Sequence, residues 1–172
     1  MEASSASFTL RRNFILQQGF PAPSHDACPT QYSALQFQPR MVGSVILIGV
    51  ILQMPAVFLI LAAVLWWSAL LPSWNPFDAI FNRFLAARRG AVRLSPAPAP
   101  RRFAQGMAAS FALAIGLLLA LGQKLPAYIL EGLLAAAVAA LLLGGFCLGS
   151  FVFHLVTRRG AFARQTLPWV NP

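Results

Sequence analysis

The chain has 172 residues, 58% of them hydrophobic and only 10% charged, with thirteen Lys and Arg against four acids and a net charge of +9. Soluble domains carry roughly a quarter charged residues, so that class is excluded. The basic residues cluster between apolar runs instead of covering one soluble face, which excludes a nucleic-acid partner and points to a membrane protein whose loops meet anionic headgroups.

Residues 1–40 read as a polar cytoplasmic tail, interrupted by Pro21, Pro23, Pro29 and Pro39. No cleavable signal peptide is recognised there. Cys28 followed by Pro29 marks a helix start, because proline is tolerated in the first helical turn. Residues 41–71, "MVGSVILIGVILQMPAVFLILAAVLWWSALL", carry no charge. One straight helix of that length would reach about 46 Å, well beyond a hydrocarbon core of about 30 Å. A turn at "QMP", residues 53–55, makes it a hairpin over residues 41–72 instead.

In "SWNPFDAIFNRFLAARRG", Asn75 is a cap and Pro76 a first-turn residue, with Phe77, Ile80, Phe81, Phe84 and Leu85 at helical spacing. This is an amphipathic interfacial helix, followed by a proline-rich cytoplasmic linker, the two filling residues 73–102. The expected interface anchors are Trp66, Trp67, Trp74, Arg83, Arg88, Arg89, Arg101, Arg102, Arg158 and Arg159. Residues 103–157 form a second hairpin, with spans at 103–122 and 127–156. Residues 158–172 are a cytoplasmic tail.

Loop charge selects the number of spans. Four spans place twelve arginines on one side and Lys124 alone on the other, whereas three spans split them nine against four. The positive-inside rule favours four, with both termini cytoplasmic in a bacterial inner membrane. The expected class is therefore all-α and polytopic: four transmembrane helices as two hairpins, plus the interfacial helix. Small residues permit close helix packing in lipid. Ala108, Ala112, Gly116 and Ala120 form a ladder on the third span. Gly132, Ala136, Ala140 and Gly144 form one on the fourth, followed by Gly145 and Gly149 as a GxxxG pair. The two ladders are expected to face each other.

The stretches "PAPAPRRFAQGMAASFALAIGLLLALG" and "LEGLLAAAVAALLLGGFCLGS", and more loosely "LWWSALLPSWNPFD", resemble a bacterial membrane family known as domain of unknown function 4395. The resemblance spans residues 39–156 and is strongest over 96–150. It implies four helices and no established activity. Members often end the second stretch as Cys-x-x-Cys, but here Cys147 is followed at that spacing by Ser150. Serine cannot resolve a mixed disulfide, so a dithiol couple within the motif is excluded.

Cys147, Ser150, Phe151 and His154 fall on one helix face. His25 and Cys28 form an H-x-x-C pair in the tail. His25, Cys28, Cys147 and His154 are the metal-ligand candidates, with His154 also a cofactor-ligand candidate, against the plainer reading of inert thiols and an interfacial imidazole. No cofactor is expected. Glu131 is the single acid within a span and reads as a snorkelling side chain near the outer end. Nothing resembles a nucleotide loop or an activated nucleophile, so an enzyme is not expected. The leading expectation is a non-catalytic accessory or scaffold subunit packing against other membrane subunits. The alternatives are a thiol- or metal-linked redox or sulfur-handling factor using Cys147 with Cys28 or His154, and a small-solute transporter.

Overall fold

The computed structural model describes residues 2–86 and 93–170, and among them every regular element is helical. The chain runs α1 (Glu2–Gln17), α2 (Cys28–Leu35), α3 (Phe37–Leu52), α4 (Pro55–Leu70), a 3-10 turn at Pro72–Trp74, and α5 (Pro76–Ile80), which continues into a π-helical turn at Phe81–Ala86. It then forms α6 (Ala99–Ala120), α7 (Lys124–Gly144), α8 (Leu148–Val156) and α9 (Gly160–Gln165). Three stretches are long and apolar enough to cross a membrane: Cys28–Leu52, Ala99–Ala120 and Lys124–Gly144. At 16 residues, α4 is shorter, about 24 Å at helical rise.

The break at "QMP" lies where proline chemistry places it. Met54 is extended, as the residue before a proline prefers to be, and Pro55 opens α4. Gln53 takes a left-handed conformation at φ 51° and closes α3 through its N–H to Gly49 O. The core then collects Val42 and Ile46 of α3, Phe58, Leu61, Ala62 and Leu65 of α4, Ala109, Ala112 and Ile115 of α6, and Leu134 of α7. The broadest packing is α4 on α6. A Cβ at Gly116 would lie 2.8 Å from Leu59 Cγ, so this small residue lets α4 approach α6.

The small-residue ladders therefore serve different neighbours. On α6, Ala112 and Gly116 are buried, with Gly116 under α4. On α7, Gly132 and Gly144 have no atom within 4 Å of where a Cβ would be, and Ala136 is exposed. What α7 buries is Ala127, Glu131 and Leu134.

One expected helix is two. The continuous helix over residues 127–156 stops at Gly144, and Gly145 turns left-handed at φ 62° with its N–H on Ala140 O. A glycine just past a helix end adopts that conformation without steric cost. A side chain there would also strike Leu10, 2.8 Å from the Cβ position. Gly145 and Gly149 thus lie on either side of a break and do not form a GxxxG pair on one helix.

The N-terminal segment is a folded cap rather than a free tail. Phe14, Ile15, Phe20, Cys28 and Leu35 form a second buried cluster, with Phe8, Tyr32, Leu94 and Leu141 packed around it. Asn13 Nδ2 donates to both Leu167 O and Val170 O at 2.9 Å, fastening α1 to the chain's last turns.

Candidate functional site

The break between α7 and α8 creates the most unusual environment in the molecule. Cys147 is extended and caps α8, and its N–H is donated to Gln17 Oε1 of the cap at 2.8 Å. That bond gives a partner to one of the donors every helix start exposes. Helix α8 then lies against α6 so closely that a Cβ at Gly149 would sit 2.6 Å from Ala104 Cα. Ser150 Oγ donates to Pro100 O at 3.3 Å. His154 Nε2 is 2.9 Å from Gln17 O, and a carbonyl only accepts, so Nε2 carries the hydrogen. Its Nδ1 is buried without a partner. Both cysteines are free and buried, Cys147 being 6% exposed.

Beside Cys147 lies a polar network that sequence reasoning missed. Arg101, an expected interface anchor, is instead 4% exposed and buried inside the bundle. Its Nη2 donates to Asp78 Oδ1 at 3.1 Å and to Gln38 Oε1 at 2.9 Å. Gln105 Nε2 donates to the same Gln38 oxygen at 2.9 Å. Asp78 also accepts from Asn75 Nδ2 at 3.0 Å, while Asn75 Oδ1 caps α5 by accepting from Phe77 N–H. Burial pushes the Asp78 carboxyl above its ordinary value, against the pull of Arg101 and of hydrogen bonds from Arg101 and Asn75. The pairing explains the arginine's burial: a guanidinium leaves water only where a carboxylate and further acceptors meet it. The sequence offered one signal, an acid in an otherwise basic and apolar segment.

Two cavities share part of their lining at this point. One, of about 220 Å³, is lined almost wholly by apolar groups of α6, α7 and the start of α8, among them Met107, Phe111, Leu133 and Leu148. The other, of about 90 Å³, is bordered by Gln18, Gln38, Arg101 and Gln105. Ala104, Ala108, Val138, Leu141 and Cys147 line both. Arg101 Nη1 and Gln105 Oε1 are buried without hydrogen-bond partners.

The other residues singled out in the sequence are dispersed. His25 is exposed, stacks on Phe8 and lies 4.0 Å from Asp26, whereas Cys28 is buried among Phe14, Ile15 and Leu35. Among the described residues no three His, Cys, Asp or Glu side chains come together as a metal cluster. Trp66, Trp67, Trp74, Arg83, Arg158 and Arg159 are exposed, Trp67 donating to Trp74 O at 3.1 Å. Arg102 donates through Nε to Ala69 O at 2.7 Å. Arg88 and Arg89 lie outside the described residues. Glu131 does not snorkel: it is 3% exposed and accepts from Gln53 Nε2 at 3.0 Å, because the left-handed turn at Gln53 aims that amide at it.

A family model described as domain of unknown function (DUF4395) matches residues 32–158. The chain belongs to the DUF4395 family. The matched segment contains Gln38, Asp78, Arg101, Gln105 and Cys147, whereas Gln17 and Gln18 lie outside it. In this chain the pocket thus meets cap residues, Gln17 and Gln18, that the family match does not cover. No curated protein and no solved structure matches this DUF4395 chain.

Proposed function

We propose that this DUF4395 protein is a non-catalytic integral membrane protein that binds a small molecule in the pocket around Cys147. It crosses a bacterial inner membrane four times, as the hairpins α3–α4 and α6–α7, with both termini cytoplasmic. Three apolar stretches of spanning length support the membrane assignment. The twelve-to-one distribution of arginines and Lys124 supports four spans and the orientation. A short α4 is accommodated by local thinning and by flanking tryptophans.

The observation that carries the binding reading is the position of Cys147, shared by two largely apolar cavities, one of them bordered by Gln38, Gln105 and a buried guanidinium with an unused donor. Pockets of this composition, apolar walls with a few convergent polar groups, are those that hold small ligands. The thiol acts alone: Cys28 packs in a separate cluster and both cysteines are free.

Reconstituted in vesicles, the protein should react with N-ethylmaleimide at Cys147 and resist a charged, impermeant maleimide, because access runs through lipid. A Cys147 that reacts with neither reagent until the protein is unfolded would overturn this reading. A second reading, an accessory subunit of a larger membrane assembly, is supported by α7, which leaves Gly132 and Gly144 uncovered. Gentle solubilisation followed by mass analysis tests it, and a monomer without companions argues against it.

A further inference from the structure

We infer that the pocket takes a single-chain amphiphile whose apolar body fills the larger cavity and whose neutral hydroxyl head, of the phenol or alcohol class, sits between Arg101 and Gln105. The inference rests on the binding reading of Cys147 and names the ligand chemistry. Leu133 and Leu148, which border the larger cavity, are 55% and 42% exposed, so it opens sideways between helices onto the surface that faces lipid. Arg101, Ala104, Gln105, Ala108 and Phe111 recur at helical spacing on α6, which sets the polar end of the site at the start of that helix and the apolar end deeper along it. An amphiphile lying in the leaflet has the same polarity gradient.

The head is specified by what is left unpaired. Arg101 Nη1 offers a donor and Gln105 Oε1 an acceptor, both buried and neither engaged. Both atoms are closed off until the side chains part, and one hydroxyl admitted between them would satisfy both, its oxygen accepting from the guanidinium and its hydrogen going to the amide oxygen. Charge decides against other heads. Asp78, 3.1 Å from Arg101, already matches the guanidinium, so an anionic head would leave a net negative charge in a low-dielectric site. A cationic head would lie against Arg101, with no unpaired carboxylate to meet it. The small cavity, about 90 Å³, admits a compact head.

The test uses the full-length protein in phosphatidylcholine vesicles with 4-octylphenol as the probe, and octyltrimethylammonium and decane as head-group controls. Two readouts run in parallel: the N-ethylmaleimide rate at Cys147, located by peptide mass, and the melting temperature. The phenol should slow alkylation and raise the melting temperature, with decane and the ammonium compound binding at least about tenfold more weakly. Gln105→Leu should weaken the phenol about tenfold and leave decane unchanged, and Leu133→Trp should abolish protection by filling the cavity. Equal effects of phenol and decane, or an unchanged phenol affinity in Gln105→Leu, would overturn the hydroxyl assignment. If Cys147 proves unreactive without any probe, the binding reading itself fails and the inference with it, whereas a reactive Cys147 with either of those two results fails the hydroxyl assignment alone.

Discussion

Removing the Asp78 carboxylate should destabilise the protein more than any other single surface-helix change. Asp78 and Arg101 are about as buried as an ion pair can be, with side-chain exposures of 9% and 5%, so solvent screens little of their interaction. In Asp78→Ala the guanidinium would keep Gln38 Oε1, a neutral acceptor 2.9 Å away, and nothing of opposite charge. Asn75 Nδ2 would lose its acceptor as well. Stranding one partner of a buried pair costs about 3–5 kcal/mol. Replacing Arg101 by Met in the same background removes the stranded charge, while Gln38 still accepts from Gln105. The double variant should therefore recover to within about 1–2 kcal/mol of the parent, because buried pairs replaced whole by apolar groups cost little. Sodium dodecyl sulfate titration of the protein in mild micelles, followed by far-UV circular dichroism, measures all three variants. A loss below about 0.5 kcal/mol in Asp78→Ala, or a double variant no better than the single, would refute the coupling.

Other contacts give sharper local outcomes. Gly149→Ala forces a methyl into the backbone of Ala104, and the overpacking should cost about 1–3 kcal/mol in the same titration while leaving helix content unchanged. Gln17→Leu strands the buried Cys147 N–H, so it should cost about 1–3 kcal/mol and speed alkylation of Cys147. Asn13→Ala releases the carbonyls of Leu167 and Val170; limited trypsinolysis should then cut at Arg164 faster than in the parent.

What could be read from the sequence was what depends on neighbours in the chain. The break before Pro55, the Asn75 cap and the start of α2 at Cys28–Pro29 follow from local stereochemistry, and the structure has them. The three stretches of spanning length follow from composition. Arg101 was illegible for the opposite reason. In "PRRF" it looks like any arginine at a membrane boundary, and its partner lies 23 residues earlier on another helix. The α7–α8 break was also hidden, since two glycines inside an apolar run read as close packing as readily as a turn. The deciding contact comes from Gln17, 130 residues away. Glu131 shows the same limit: its burial depends on the amide of Gln53, which only the tertiary arrangement brings near.

The clasp between Asn13 and the residues around Leu167 ties the order of synthesis to the completion of the fold. Asn13 of α1 precedes its partner by 154 residues, roughly eight to thirty seconds of synthesis at ribosomal speed. Through that interval α1 is held by the apolar partners of Phe14 and Ile15 alone, which end at Leu141, while the Asn13 amide still lacks its two carbonyls. A chain stalled before Leu167 would keep α1 seated on its apolar bed and lack only the clasp.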